Sequence, residues 1–418
     1  MAAGTRWQGQ GLKLLTRVLG YAKRNGDVVS RLREVRAKRI APRIPTERAL
    51  FSLFVMTLAQ QGSLNALEQT ANRAPWKRLI GGKLPSADTL GRVASAIHID
   101  DLRSVHRSLY AKLKRNKALP SPYHGIIALA LDGHESTASY RRCCPGCLQR
   151  KISTSAGDRV QYYHRYVAAS LIGEGWHLFL DLEDIRSGED EVSAALRLLK
   201  RVHATYSRAY DVVLGDALYA QAPFFKAVLA LGKDPLVVLK QQERHLYVDA
   251  LALCQQIEPS EFTRGKAQVR CWDVADLDSW SSLGRKVRVV RTVETTSVKR
   301  QLNGKKEELT ANWVWVTTAN ALRVPARAVV ALGHSRWDIE NRGFNEGVTH
   351  FHMNHVYRHE PVAMLAMNLL TMLAMNLLGA FYRRSLKPAR RARESLLHVA
   401  RCIAAVLYGG RQLSFAPT

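Results

Sequence analysis

Two aspartates stand at positions where carboxylates can do chemistry. Asp132 follows the apolar run 126–131, and Asp216 ends the run 210–216. Functional groups gather at the carboxyl ends of strands in open α/β sheets. Carboxylates that converge on one point can hold divalent cations, because hard cations take oxygen ligands, and a pair of Mg²⁺ ions can catalyse phosphoryl transfer. Asp132 and Asp216 are therefore candidates for a metal site.

Glu340 offers a third carboxylate. It lies in a stretch with helical spacing, and Arg336 precedes it by one turn on the same face. The guanidinium could hold a phosphate or orient the carboxylate. A surface helix with an ordinary ion pair has the same pattern, and the spacing alone does not reject that interpretation.

The elements around these residues follow an α/β order, in which strands alternate with helices. The first strand is predicted to stop at a turn formed by Asp132 and Gly133. The predicted strands span residues 126–131, 162–172, 176–182, 210–216 and 235–239, and the predicted helices between them span 189–203 and 222–231. The acidic residues that begin the first of these helices match the helix dipole.

Other periodicities dominate the rest of the chain. Residues 1–120 read as helical, with a basic helical stretch at 31–40 and helix starts at 45–46 and 85–86. From 241 to 311 the pattern alternates, as in β-strands, and Asn303-Gly304 is a hairpin signal. Helical spacing resumes at Pro325 and continues to about His350.

The segment 361–382 contains no charged residue and is long enough to span a bilayer. Asn368 and Asn376 lie within it, and no second such span follows. These features favour a buried helix packed against a sheet over a membrane helix.

The chain is strongly basic, with 62 Lys and Arg against 35 Asp and Glu, a net charge of +27. Residues 1–120 alone hold 23 basic and 7 acidic side chains. Such a charge argues against a metabolic enzyme for small neutral substrates and indicates a polyanionic partner. The N-terminal third is the expected phosphate-binding surface.

Six cysteines in 418 residues are too few for a secreted disulfide framework, and no export or transit signal is recognisable, so a reducing cytoplasm is expected. Cys144 and Cys147 form a Cys-x-x-Cys turn, with Cys143 beside it and His134 and His164 nearby in sequence. We predict a structural zinc site from Cys143, Cys144, Cys147 and His164, with reduced, unliganded thiols as the alternative.

Three ordered segments resemble those of bacterial insertion-sequence DDE transposases. They are Leu-Ala-Leu-Asp132-Gly, Val-Leu-Gly-Asp216-Ala-Leu-Tyr219, and His-Ser-Arg336-Trp337-Asp-Ile-Glu340-Asn-Arg-Gly-Phe. The wide spacing between Asp216 and Glu340 suits the members in which a β-strand insertion precedes the last carboxylate. The resemblance covers most of residues 121–385.

This resemblance implies an α/β ribonuclease H-like mixed sheet with flanking helices. It divides the chain into the following parts: a helical basic DNA-binding domain at 1–120, a catalytic core at 121–240 and 313–385, a β-rich insertion subdomain at 241–312, and a basic tail at 386–418.

The resemblance also implies that Asp132, Asp216 and Glu340 bind two Mg²⁺ or Mn²⁺ ions, where water and then a 3′-hydroxyl attack phosphodiesters. The implied partner is double-stranded DNA at element ends and targets, bound by a homodimer in the bacterial cytoplasm, at the nucleoid, and not at a membrane.

Further residues are candidates for contacts with the DNA. Arg336, Lys240, Arg244 and Trp337 could contact it, and Tyr219 could face the scissile phosphate. Core packing would explain Tyr219 equally well, and a solvated charge would explain Arg244 equally well. A flipped base could stack on one of four tryptophans, although each could equally pack in a β-rich region. These are Trp272, Trp280, Trp313 and Trp315.

The Tyr-Arg-Glu-Lys signature of the family is only partly present. Gly333 stands at the Tyr position and Gly347 at the Lys position. His350, His352 and His355 follow and could replace a lost cation near phosphate, although histidines near a helix end are more often structural or solvent-facing. Two other functions remain open. One is a ribonuclease H-like nuclease that cuts without strand transfer, and the other is a non-catalytic DNA-binding repressor on the same scaffold.

Overall fold

Helices form the first third of the protein. The computed structural model describes residues 2–71, 74–123, 125–155, 157–173, 175–240, 244–299 and 306–407. The helices of this first part are α1 (Ala2–Arg24), α2 (Val28–Glu34), α3 (Thr46–Leu58), α4 (Leu64–Ala71), α5 (Ala74–Ile80), α6 (Ala87–Ala96) and α7 (Ile99–Arg115).

The sequence located two of these helix starts correctly and misjudged one helical stretch. The Ser86 hydroxyl accepts a hydrogen bond from the amide of Thr89 at 3.3 Å and caps α6, as expected of an N-cap serine. The predicted helix at 31–40 is wrong beyond Glu34. The chain turns extended there, and Ala37 pairs with Ile97 in an isolated bridge, so a distant partner overrides the local helical pattern.

A sheet of ten strands forms the centre of the molecule. Its strands are β1 (Ala128–Ser139), β2 (Leu148–Thr154), β3 (Gly157–Gly173), β4 (Trp176–Asp184), β5 (Val212–Gly215), β6 (Asp234–Val238), β7 (Ser260–Arg264), β8 (Ala267–Leu277), β9 (Val287–Lys299) and β10 (Lys306–Thr317). They run in the order β2-β3-β1-β5-β6-β10-β9-β8-β7, and β4 also pairs with β3.

The sheet is mixed. β1, β5 and β6 are parallel, whereas the other pairs are antiparallel. The remaining helices are α8 (Glu191–Tyr206), α9 (Ala222–Ala230), α10 (Arg244–Cys254), α11 (Ala326–Ser335), α12 (Asn345–Phe351), α13 (Pro361–Ser385), α14 (Pro388–Arg391) and α15 (Leu396–Leu407). Parallel strands need crossover connections, and α8 and α9 lie in the chain before β5 and β6. The prediction of a mixed α/β sheet with flanking helices is confirmed.

The first strand is longer than its sequence indicated. β1 does not stop at Asp132 but continues to Ser139, because its antiparallel pairing with β3 extends from Ala128 to that residue. Its parallel pairing with β5 covers Ala128 to Ala130 only. Asp132 and Gly133 therefore follow the end of the parallel β1–β5 pairing, while the strand itself continues in its pairing with β3.

The strands of the region 241–312 extend the same sheet. The end of β10 pairs with β6, with Trp315 opposite Val238, and β9, β8 and β7 follow outward. The region also contains α10. The sequence boundary at 312/313 lies within β10, and the predicted Asn303-Gly304 hairpin lies outside the described residues.

The long apolar helix α13 packs inside the protein. It is the one described helix whose length and composition would allow a membrane crossing, and 83% of its apolar window is buried. It contacts α3, α6, α7 and β4. The side-chain amide of Asn376 donates to the carbonyl of Phe179 at 2.7 Å and accepts from the amide of Phe179 at 2.8 Å. The predicted buried helix against a sheet is confirmed.

Candidate active site

The strand register brings two aspartates together. Ala130 of β1 lies opposite Leu214 of β5, and Asp132 and Asp216 each come two residues later. Neighbouring strands lie about 4.8 Å apart, so Asp132 and Asp216 lie next to each other just beyond the paired parts of β1 and β5. Asp216 ends its strand and accepts a hydrogen bond from the amide of Leu218 at 2.8 Å, which caps a short 3₁₀ turn.

Glu340 reaches the same place from a distorted helix. The helical pattern predicted from Pro325 onward is interrupted by a π-helical turn, Ile339–Phe344, between α11 and α12. The Nη1 atom of Arg336 lies 2.7 Å from Oε1 of Glu340 and 3.6 Å from Oδ2 of Asp132. The guanidinium therefore bridges the two carboxylates. Single π turns occur frequently at functional sites.

Arg336 is an unusual cation because it is almost entirely buried. Its side chain is 5% exposed and stacks on Trp337, with Cζ 4.5 Å from the ring centroid. Its Nε–H group has no hydrogen-bond acceptor within the described part of the chain. A buried donor without a partner is costly, and the contacts that offset the burial of this guanidinium are those of Nη1 with the two carboxylates.

A fourth carboxylate, Glu191, lies beside Asp132 and was not selected from the sequence. It begins α8, where its charge was attributed to the helix dipole. Its carboxylate accepts hydrogen bonds from Arg165 at 2.8 Å and from the Tyr219 hydroxyl at 2.9 Å. A Cβ atom at Gly133 would collide with this carboxylate, so the glycine after Asp132 permits the close approach.

The four carboxylates influence one another electrostatically. The pKa of Asp132 is raised to about 8, mainly by burial; Arg336 opposes this rise, and Glu340, Glu191 and Asp216 contribute to it. Burial also raises the pKa of Glu191. We call Asp132, Glu191, Asp216 and Glu340 the acidic cluster. Within this cluster, the neighbouring negative charges favour the neutral form of Asp132.

The part of the chain that contains Asp132, Asp216 and Glu340 matches a known family. A family model described as Transposase DDE domain matches residues 126–377, more than half of the chain. The chain belongs to the transposase DDE domain family. No curated protein matches it. Membership confirms the predicted DDE transposase resemblance and the ribonuclease H-like fold. It also gives the chain a transposase-type activity in DNA recombination, with DNA as the partner that the family implies.

The other residues predicted to contact DNA in this transposase occupy two places. Trp337 is 39% exposed beside Arg336. Lys240 is exposed two residues beyond β6 and lines a groove with Tyr247 and Trp313. The side chain of Arg244 lies outside the described residues.

The four candidate stacking tryptophans of the transposase differ in exposure. Trp280 and Trp315 are buried, and Trp272 is buried between two arginines that lie over its ring. Trp313 is half-buried, stacks on Trp315 with centroids 6.0 Å apart, and faces the Lys240 groove. Trp313 is therefore the one of the four with a face available to a ligand.

Close packing explains why glycine replaces the Tyr and Lys of the family signature at positions 333 and 347. A Cβ atom at Gly333 would overlap the indole of Trp315, and a Cβ atom at Gly347 would overlap the sulfur of Met353. The helix backbone thus approaches its neighbours too closely for Tyr or Lys at these positions. Of the three nearby histidines, His352 bonds the carbonyl of Gln60 at 2.9 Å and so connects this segment to the N-terminal helices.

A separate cluster forms around the Cys-x-x-Cys turn. The ligand atoms of Cys144, Cys147, His164 and His359 all lie within 4.8 Å of one another. We call these four residues the Cys–His cluster. It differs from the predicted set in one member: the exposed Cys143 lies outside it, and His359, 212 residues beyond Cys147, completes it.

The other histidine considered for the zinc site has different partners. His134 follows Asp132 by two residues on β1, bonds Asn354 at 2.9 Å and stacks on Phe344 with centroids 4.6 Å apart. It therefore links the strand of Asp132 to the π-helical turn that contains Glu340.

Proposed function

We propose that this protein binds the ends of its mobile element and uses the acidic cluster to cleave DNA and transfer strands. The main support is the β1–β5 register, which sets Asp132 beside Asp216, while Arg336 ties Glu340 to Asp132. The family match supports the same reaction class.

The donor set fits divalent metal ions. Asp132, Asp216 and Glu340 offer oxygen ligands, which Mg²⁺ and Mn²⁺ prefer. Mutual repulsion among these carboxylates gives a cation a clear electrostatic advantage. Two such ions would supply activation of the attacking oxygen and stabilisation of the leaving oxygen. Glu191 stands close enough to Asp132 to adjust the charge of the site.

The proposed reaction proceeds in two displacements at phosphorus. Water attacks a phosphodiester at the element end, the bond to the 3′ oxygen breaks, and a 3′-hydroxyl and a 5′-phosphate form. That 3′-hydroxyl then attacks a target phosphodiester, which forms a new P–O bond and releases a target 3′-hydroxyl. Arg336 would orient Asp132 and Glu340 through the contacts of its Nη1 atom and supply positive charge near the phosphate.

We propose that the helical region 1–120 provides most of the binding to element ends, because it combines 23 basic with 7 acidic side chains. Lys240, Arg244 and Trp337 would contact DNA nearer the cleavage point. Bringing two ends together would require a homodimer in the synaptic complex, acting at the nucleoid in the cytoplasm of a bacterium.

The decisive test is a cleavage assay with a labelled DNA fragment that contains the element end, in Mg²⁺, Mn²⁺ or no divalent ion. We expect nicking at the element boundary that requires the metal and is lost in Glu340→Gln. The matched control is Glu346→Gln, since Glu346 lies on α12, in the next part of the same helical segment, and pairs with no member of the acidic cluster among the described contacts.

The products distinguish the remaining functions. Joining of the cut end to a second DNA supports the transposase, whereas cutting without joining supports a nuclease on the same fold. Binding without any cutting, equal in wild type and Glu340→Gln, supports a DNA-binding repressor.

A binding assay tests the N-terminal surface separately. We expect the affinity for element ends to fall steeply with salt, because each Lys or Arg contact to a phosphate releases counterions. Glu340→Gln should bind with nearly wild-type affinity. A nearly flat salt dependence would contradict the basic-surface proposal without affecting the catalytic one.

A further inference from the structure

The Cys–His cluster is assembled from three distant segments. Cys144 and Cys147 lie in the turn between β1 and β2, His164 lies on β3, and His359 lies just before α13. Within the turn, the Cys147 amide donates to the Cys144 carbonyl at 3.0 Å, and the Cys144 amide donates to the Cys147 sulfur at 3.2 Å. Both sulfurs therefore face the same side, toward the two imidazoles.

The distances in this cluster match those of a tetrahedral zinc site. Zn–S bonds of about 2.3 Å and Zn–N bonds of about 2.0 Å place two sulfurs about 3.8 Å apart and a sulfur about 3.5 Å from a nitrogen. The Sγ atoms of Cys144 and Cys147 are 3.8 Å apart. The Nε2 atom of His164 lies 3.3 Å from Cys144 Sγ and 3.2 Å from Cys147 Sγ, and Nε2 of His359 lies 3.3 Å from Cys147 Sγ.

Hydrogen bonds alone explain these contacts poorly. The Cys147 sulfur lies close to Cys144 Sγ and to the Nε2 atoms of His164 and His359, and it also accepts the Cys144 amide. A thiol has a single proton to share among these three neighbours. A disulfide would need the sulfurs at about 2.05 Å, far closer than they are. A shared cation in the centre satisfies all four ligand atoms at once.

We propose that Cys144, Cys147, His164 and His359 bind one structural Zn²⁺ ion. Two sulfur and two nitrogen ligands in tetrahedral geometry favour zinc, and four protein ligands leave no open position for catalysis. Such a site contributes directly to folding.

The proposed zinc ion would connect two segments that are joined in the chain to residues of the acidic cluster. His359 is the last residue but one of the 352–360 loop, which connects the helical segment of Glu340 to α13. His164 pairs with Thr137 on β1, the strand that also contains Asp132. The zinc ion would therefore fasten the loop that follows Glu340 to the hairpin that continues from Asp132. This role does not depend on the DNA reaction.

The test is metal analysis of the full-length protein purified under reducing conditions without strong chelators. We expect about one zinc per chain by elemental mass spectrometry, and less than about a tenth of that in Cys147→Ser and in His359→Ala. The matched control is Cys143→Ser, which should keep its zinc because the Cys143 side chain lies outside the cluster. His355→Ala is the corresponding control within the 352–360 loop.

Cobalt substitution gives an independent readout. Co²⁺ in place of zinc should produce the visible absorption of a tetrahedral thiolate site in wild type and in Cys143→Ser, but not in Cys147→Ser. Removal of zinc should lower the melting temperature by roughly 5–10 °C, since the ion links three segments.

Three results would overturn the proposal: no zinc in wild type after incubation with stoichiometric Zn²⁺, equal zinc in Cys147→Ser, or equal loss in Cys143→Ser. If the ligand variants fold poorly, His359→Cys tests whether residue 359 coordinates zinc, because a Cys₃His set also binds zinc. It should restore the zinc content and melting temperature that His359→Ala loses, and failure to do so would count against coordination by residue 359.

Discussion

The acidic cluster and the Cys–His cluster both include residues of the paired strands β1 and β3 or of segments joined to them, but they differ in how their ligands are arranged. The Cys–His cluster has four ligand atoms within 4.8 Å of one another. In the acidic cluster, Arg336 bridges Asp132 and Glu340, and burial keeps the pKa of Asp132 at about 8. The ligand atoms of the Cys–His cluster already surround one point. In the acidic cluster, the guanidinium of Arg336 lies between two of the carboxylates.

We propose that this difference corresponds to two uses of metal. A structural ion needs a complete, rigid ligand set, whereas catalytic ions need room for substrate oxygens and must tolerate exchange. The acidic cluster has partly exposed members, and the buried Arg336 has a donor still unpaired. We therefore expect mutations in the acidic cluster to affect chemistry, and mutations in the Cys–His cluster to affect stability.

The largest expected effect separates the two clusters most clearly. Asp132→Asn and Asp216→Asn should each reduce cleavage about 10³-fold or more, because loss of a metal ligand removes several kcal/mol of transition-state stabilisation. Zinc content should remain at the wild-type level. Single-turnover cleavage rates and elemental analysis of the same preparations measure both. Cleavage above a tenth of wild type in either variant would remove that residue from the catalytic set.

Arg336 tests whether the bridging cation acts in the reaction. Arg336→Ala should slow cleavage roughly 10- to 100-fold, the range that corresponds to a charge-assisted hydrogen bond worth about 1.5–3 kcal/mol. Arg336→Lys should recover part of the rate, because lysine keeps the charge but lacks the planar set of donors. The control is Arg342→Ala, which removes the neighbouring pair with Asp338. An equal loss in the control would indicate a general effect on the helical segment.

Gly146 tests the tight packing of the Cys–His cluster. A Cβ atom there would lie 3.0 Å from Pro361 Cγ and 3.5 Å from His164 Cε1, so Gly146→Ala should destabilise the protein by about 1–3 kcal/mol. Gly379→Ala is the control, since its Cβ atom would meet its nearest neighbour, Trp176, at an ordinary 3.8 Å. Thermal unfolding measures both, and an unchanged melting temperature in Gly146→Ala would show that the turn can move away from Pro361.

The smallest expected effect is a pH dependence of stability in Mg²⁺-free buffer. The pKa of Asp132 is about 8 in the folded protein, against about 3.9 in an unfolded chain, so the folded state holds a proton that the unfolded state lacks between these values. Stability from this group should therefore fall as the pH rises from 4 to 8. Asp132→Asn should reduce that fall, by about 1 kcal/mol once local relaxation is included. If the melting temperatures of wild type and Asp132→Asn change equally with pH from 5 to 8, that result would contradict the raised pKa of Asp132.

Much of the fold could be predicted from local pattern. The apolar runs before Asp132 and Asp216 indicated strands of an α/β sheet, and the spacing of Arg336 and Glu340 indicated one helical face. The apolar segment 361–382 was correctly expected to be buried, because its asparagines need partners, and Asn376 finds them on β4. These inferences succeed because strand and helix periodicities depend on residues close in the chain.

Long-range register determined the rest. Only the pairing of β1 with β3 shows that the strand continues past Asp132, and only the docking of α8 brings Glu191 against Gly133. His359 joins Cys147 across 212 residues, and no local periodicity encodes such a contact. The amino-acid sequence by itself therefore indicated Asp132, Asp216, Glu340 and the Cys-x-x-Cys turn as groups that could do chemistry, but it did not indicate Glu191 or His359. The tertiary structure alone decided which of them meet, because that depends on how distant strands and helices align and pack.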